Sequence, residues 1–303
     1  MFQLTLFLLA GFLQIVELHQ AEKNFSLNNI HHSSYELQLN SGIEAYYQAD
    51  WETARNIFND MKMQNPDDPR PWFFKSMMPF LEYFFVNQSS ELADEFLAMS
   101  ERAVDLSQKI LEESPNDTTM VLMLSGLHGY RGLVAAGQNR HRIALSSGLT
   151  GFNYTRKLLS INSDRPDARI GRGMFYYMIG SIPSGMRWAS NMIGFRADIE
   201  DGFDELKKAA ESDSYISNDA KMMLMYLYDK EERYKDALYY AEMLTNALPG
   251  NVIFLFKKAS ILENLGNKSE AADVYKKIVA KNNPSLESIT RKSEEKIAEL
   301  KKS

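Results

Sequence analysis

From Ser90 to Ser114 apolar residues recur at Leu92, Phe96, Met99, Ala103, Leu106 and Ile110. Steps of three and four put them along one side of a 3.6-residue helix, so the spacing predicts one long amphipathic helix. Thr118 to Ala136 and His141 to Ile161 read as the next helical pair. Gly126, Gly129 and Gly132 fall three apart in the first of these and leave one face nearly bare for a close neighbour. Inside a bilayer such a face favours helix dimerisation; tight packing between repeats is the plainer reading. Asp164 stands just ahead of Pro166, a residue suited to the first turn of a helix, and Pro183 lacks the N–H that continuation needs, so a helix is predicted from there to about Ser181. Asp198 is a good N-cap for a second helix to about Ser212, with Glu200 and Asp201 in the first turn, where the helix dipole favours negative charge. The bend between these two helices is apolar: from Gly173 to Phe195 the one charged residue is Arg187. No stretch shows strand-like alternation, and the pattern predicts an all-α chain of five to six helical pairs without a sheet.

A second periodicity runs through the ends of the chain. From Tyr35 to Pro66 come Gly42, then Asp50-Trp51-Glu52-Thr53-Ala54, Phe58 and the closing Pro66; Ala54 and Ala103 are 49 residues apart, so the middle repeats are longer. Glu232-Arg233-Tyr234-Lys235-Asp236-Ala237 leads to Pro249, and Leu265-Gly266-Asn267-Lys268-Ser269-Glu270-Ala271 leads through Tyr275 and Ile278 to Pro284. Ala237 and Ala271 are 34 residues apart, the period of a tetratricopeptide repeat, a helix-turn-helix unit with small residues at the helix contacts and proline after the second helix. The predicted fold is therefore a right-handed, tetratricopeptide-like α-solenoid over residues 35–284. A thin stripe of Leu286, Ile289, Ile297 and Leu300 makes 285–303 a charged capping helix, the polar end a solenoid needs.

The central hairpin, with Asp167-Ala168, Gly171, Gly173, Tyr176, Tyr177, Pro183, Trp188, Gly194-Phe195, Asp198, Gly202, Leu206 and Ala209, resembles a motif of bacterial tetratricopeptide-repeat proteins of unassigned function. It is similar, more distantly, to the central region of the eukaryotic family that includes the fungal inclusion-body clearance proteins. Ala197 stands where the motif often has glycine. The resemblance implies a helical-repeat binding protein and supplies no catalytic residue.

Composition adds a partner and a compartment. In 303 residues, 45% hydrophobic and 12% aromatic, there is ample material for a core. The net charge of −6 hides an asymmetry: between Thr118 and Ala197 ten basic residues stand against two acidic ones, a local +8 that leaves −14 for the remainder. The overall charge disfavours nucleic acid as a partner. Absence of cysteine excludes disulfides, thiolate catalysis and cysteine-based zinc sites. The apolar run Leu4 to Val16 is too short for an ordinary membrane span and has the length of a signal-peptide core. Residues 1–21 are read as a signal peptide or N-terminal anchor, with 22–34 as a linker, and the expected location is periplasmic or secreted.

No catalytic, metal or cofactor site emerges. His19, His31, His32, His128 and His141 lack metal-site spacing, Gly171-Arg172-Gly173 lacks the third glycine of a dinucleotide fingerprint, and Asp198 to Glu205 fails the calcium-loop template. Met174, Met178, Met186, Met192, Met222, Met223 and Met225 gather around the central hairpin, where interior gap-filling is a simpler role than an adaptable binding surface. Arg165, Arg169 and Arg172 fall at i, i+4 and i+7 with Tyr176 one turn on, so all four share a helix face. First helices line the concave side of such solenoids, and Arg131 on the preceding one is expected to join them in a cradle for carboxylate or phosphate. Pairing with nearby acids is the competing account. The chain thus reads as a non-enzymatic interaction module for an acidic peptide, protein tail or other anion. A second reading has the aromatic connector 174–195, flanked by Arg172 and Arg196, touching an anionic membrane surface. Gly42, Ala54, Pro183, Trp188, Gly194, Asp198, Ala237 and Ala271 carry the structural motif.

Overall fold

The computed structural model describes residues 27–161, 166–181, 198–212 and 216–302. The N-terminal segment read as a signal peptide, and Arg165, Pro183, Trp188, Gly194 and Arg196, lie outside the described residues. Among these residues there are thirteen α-helices and no strand: α1 (Leu27–Tyr47), α2 (Trp51–Gln64), α3 (Pro69–Phe85), α4 (Ser90–Glu113), α5 (Thr118–Gly137), α6 (His141–Ser160), α7 (Pro166–Gly180), α8 (Ile199–Ala210), α9 (Ile216–Lys230), α10 (Tyr234–Ala247), α11 (Val252–Asn264), α12 (Lys268–Lys281) and α13 (Glu287–Leu300), the last led in by a 3-10 turn at Pro284–Leu286. Six antiparallel pairs and a final helix form an all-α, tetratricopeptide-like array. α1 begins at Leu27, inside the segment expected to be a linker.

The helix starts follow from their caps. Asp117 accepts from the Met120 N–H at 3.0 Å at the head of α5. At α8 the cap is reciprocal: the Asp198 carboxylate accepts from the Asp201 N–H and that of Asp201 from the Asp198 N–H, both at 2.9 Å, which satisfies two otherwise orphaned donors. The repeat positions are interior. Ala54, Ala237 and Ala271 have no exposed surface, and a Cβ on Gly42 would come within 2.6 Å of the Phe58 ring, so the small residue is what lets α1 lie on α2. The described methionines of the central group, Met174, Met222, Met223 and Met225, are all buried, which is the gap-filling role.

Two compact units divide the chain. One holds Ser100–Leu224. In it α5 and α6 approach through glycine, for a Cβ on Gly151 would stand 3.1 Å from the Gly129 nitrogen. The other joins residues before Ser100 to those after Leu224, so the first pair packs with the last pairs. Its polar link is a set of side chains capping the end of α1. Asn251, 2% exposed, accepts from the Ile253 and Phe254 N–H groups at the head of α11 and donates its amide to the Tyr47 carbonyl at 2.8 Å. Asn283 does the same one pair later, accepting from Ser285 and donating to the Ala49 carbonyl at 2.8 Å. Carbonyls that a helix end leaves open are thereby met from more than 200 residues away. α13 is more than a polar cap, since its Ser288 hydroxyl donates to Glu82 at 2.5 Å and its Lys292 ammonium to the Val86 carbonyl, both at the end of α3. A partly buried network of Tyr35, Glu36, Asp68 and Arg70 fixes α1 to the start of α3, with Tyr35 donating to Asp68 at 2.9 Å and Arg70 pairing with Glu36 at 2.8 Å.

Replacing Asn251 by Ala removes a cap and strands the Tyr47 carbonyl, and is expected to cost about 2–4 kcal/mol in denaturant unfolding. Asn251→Asp keeps the cap acceptor but sets a buried carboxylate oxygen against the Tyr47 carbonyl, so it too should be less stable than wild type; equal stability of Asp and Asn would show that the link to α1 contributes nothing.

Candidate functional site

The central hairpin is built on a backbone-to-backbone contact. A Cβ on Gly202 would sit 2.6 Å from the Tyr177 nitrogen and 2.7 Å from the Gly173 carbonyl; neither neighbour is a flexible side chain that can move aside. α7 and α8 therefore cross at closer range than any side chain would allow. That crossing brings Glu205 of α8 under the arginines of α7. Arg172 donates to one Glu205 oxygen through Nε at 2.9 Å and Nη2 at 2.6 Å, and Arg169 reaches the same oxygen at 3.2 Å. Lys208 takes the other oxygen at 3.1 Å. Burial pushes the Glu205 carboxyl up, but the bonds and charges of Arg172 and Lys208 outweigh it and hold it below the usual carboxylate range.

The structure thus brings Arg169 and Arg172 together, as their spacing implied, but on a carboxylate supplied by the chain itself. Tyr176 is half-buried one turn further along α7. Arg131 is drawn elsewhere: its guanidinium donates to the Ser100 hydroxyl at 2.7 Å and pairs with Glu101, both on α4. Arg165 is outside the described residues. The competing account, pairing with acidic neighbours, describes the three arginines that can be placed, with Glu205 and Glu101 as the partners; Asp164 and the Asp167 side chain lie outside what the structure describes. The described start of the aromatic connector is interior, with Met174, Phe175 and Tyr177 at 3%, 1% and 0% exposure.

The charge that stays open lies on α6. Between Asp117 and Asp164 the sequence has no acidic residue, so the α5–α6 hairpin cannot neutralise its own cations. Arg142 and Arg156 are exposed, Lys157 is half-buried, and none of the three has a carboxylate partner among the described residues; Arg156 lies over the Phe152 ring at 5.9 Å. Arg142, Ser146, Leu149, Asn153 and Arg156 are all exposed at alternating steps of four and three, a stripe one helix face wide. Leu149, 57% exposed, sits at its middle. The run without Asp or Glu was plain in the sequence; which of its cations lacked partners was not.

On the inner side of the same hairpin His128 stacks on Tyr154, ring centroids 5.8 Å apart, and neither ring nitrogen has a hydrogen-bond partner. Burial first and the Arg131 charge second push its pKa down to about 4. In unit 2 a half-open groove of about 430 Å³ between α10, α11 and α12 has Leu255 and Val274 among its lining and Lys258, Lys277 and Lys281 at its polar parts. Lys258 is paired with Glu242 at 3.4 Å. Among the described residues no group of three or more His, Asp or Glu side chains is placed to hold a metal ion, and no helix is long and apolar enough to cross a membrane.

The family model described as Iml2/Tetratricopeptide repeat protein 39 matches residues 166–292, from the head of α7 into α13. The match supports a distant relation of this part of the chain to that family. A search of curated proteins found no match.

Removing the carboxylate by Glu205→Gln leaves two guanidinium groups and Lys208 facing one another and is expected to cost about 1–3 kcal/mol. For the same reason Arg169→Gln with Arg172→Gln should lower the melting temperature measurably, where exposed arginines would leave it unchanged. His128 gives a pH signature. Its ring stays neutral in the folded chain down to about pH 4, whereas the unfolded chain takes up that proton near pH 6.5. The unfolded state binds more protons in that window, so the contribution is present above pH 6.5 and is lost as pH falls towards 4. His128→Phe keeps the stack and removes the titration, and should gain on wild type by up to about 3 kcal/mol between pH 6.5 and 4 in pH-dependent unfolding.

Proposed function

We propose that this protein is a non-enzymatic interaction module whose α5–α6 hairpin binds an acidic segment of a partner protein. A helical-repeat architecture with a match to a tetratricopeptide-repeat family supports protein interaction in general. The observation that carries the finer reading is the cation stripe on α6 in a hairpin without a single carboxylate. Arg142 and Arg156 flank an exposed leucine on one helix face, an arrangement that suits an extended acidic chain carrying an apolar residue. Arg169 and Arg172, already bound to Glu205, are left to hold the hairpin. Export of the chain, with a mature start at Ala21 or Glu22, is part of the same reading and is checked by N-terminal sequencing of the protein from its native host.

The test uses a fluorescent glutamate-rich peptide carrying one central leucine, titrated with the full chain in anisotropy measurements. Binding should weaken as salt rises. Charge reversal by Arg142→Glu and Arg156→Glu should weaken it about tenfold or more, with the helical signal and melting temperature unchanged, since exposed positions contribute within about 0.5 kcal/mol. Unchanged affinity in that double variant removes the α6 stripe from the proposal.

A further inference from the structure

In unit 2 a second group of cations lacks carboxylate partners among the described residues, and its geometry is tighter. Arg55, Asn59 and Lys62 fall at i, i+4 and i+7 on α2, so they share one face, and Trp72 and Lys75 come up to that face from the antiparallel α3. The Lys62 ammonium lies over the Trp72 ring, 4.1 Å from its centroid. The Lys75 ammonium donates to the Asn59 side-chain carbonyl at 2.6 Å. No ion pair joins Arg55, Lys62 or Lys75 to a carboxylate among the described residues. The Trp72 indole N–H, in the same cluster, is buried and has no acceptor there.

We propose that the α2–α3 face formed by Arg55, Asn59, Lys62 and Lys75 is a binding site for a phosphate dianion. Donors outnumber acceptors in the cluster: the Asn59 carbonyl accepts from Lys75, the Trp72 indole N–H has no acceptor among the described residues, and Arg55 and Lys62 have no carboxylate partner there. Like charges brought together from different helices repel, and a bound anion relieves that repulsion while both lysines stay charged. A carboxylate neutralises one cation. A phosphate monoester or inorganic phosphate carries close to two charges and at least three acceptor oxygens, which matches the number of unspent cationic groups. Lys75 registers the strain: burial, then the neighbouring Lys62 and Arg55, lower its pKa to about 8, with Glu95 of α4 acting in the opposite direction. The site lies apart from the α6 stripe in sequence and belongs to the other unit, so it stands independently of the acidic-partner reading.

The test follows the lysine side-chain carbon resonances of the full chain by NMR at fixed ionic strength. Inorganic phosphate, N-acetyl-phosphoserine amide and acetate are added in separate titrations. The two phosphate probes should shift the Lys62 and Lys75 signals saturably and raise the Lys75 titration midpoint above its unliganded value, while acetate does neither. Tighter binding of the phosphoserine derivative assigns a phosphorylated chain as the source, and tighter binding of inorganic phosphate a free anion. Lys62→Gln with Lys75→Gln should abolish the phosphate-dependent rise in melting temperature, read for the variant against its own value without phosphate. Arg55→Gln, at an exposed position, gives a second reading and should weaken binding about three- to tenfold. Shifts that are linear in phosphate, or equal with acetate, overturn the proposal, as does undiminished binding in both variants.

Discussion

The distance between paired helices governs what the rest of this chain can do, and residues without side chains set that distance. At Gly173 and Gly202 two backbones touch where one methyl group would clash with main-chain atoms. Gly151 against Gly129, and Gly42 against Phe58, set the spacing of two other pairs. A close crossing has an electrostatic consequence. Long cationic side chains on the first helix of a pair come within reach of carboxylates on the second, as Arg169 and Arg172 do at Glu205. Charges that a helical wheel displays together are then spent inside the hairpin that displays them.

The same packing explains why the open charge lies where it does. Each pair neutralises itself only if both of its helices contribute charges of opposite sign. α7 and α8 do; α5 and α6 do not, because neither carries an aspartate or glutamate. Arg131 escapes the shortage by reaching back to Ser100 and Glu101 of α4, whereas Arg142 and Arg156 on α6 have no carboxylate neighbour among the described residues. Among the described residues the basic excess of this region thus includes both cations that hold helices together and cations without a carboxylate partner.

Local features were legible because their causes are local. Asp198 as a cap, Pro166 in a first turn, the α4 stripe from Leu92 to Ile110 and the 34-residue step from Ala237 to Ala271 each depend on a few neighbouring residues, and each appears in the structure within a residue or so of its expected place. The arginine cradle was half legible: the i, i+4, i+7 spacing did put Arg169 and Arg172 side by side. Glu205 could not be chosen from sequence, because it is one of several carboxylates on α8 and only the rotation of α8 about Gly202 decides which one faces α7. Nothing in the periodicity announced that Asn251 and Asn283 would close the end of α1. An asparagine ahead of a helix reads as a cap, and its amide donor carries no sign of where it will go. The helical start at Leu27 was missed for a related reason, since polar residues such as Asn28, Asn29, His31 and His32 hide the α1 pattern.

The two asparagines also change what the terminal helices mean. In an open solenoid the end repeats need polar outer faces because nothing covers them. Here α13 buries Ile289 and Ser293 and sends Ser288 and Lys292 to the end of α3, so its charged residues fall into two kinds. Lys292 is committed to a carbonyl, while Lys301 and Lys302 at the end of the helix are exposed. A linear array could lose its last helix at the cost of one interface. Loss of α13 from this chain also uncovers the end of α3, in the same unit as α1 and α2. The stability of the first repeat therefore depends on residues more than 200 positions further along the chain, contacts of high sequence separation that form slowly.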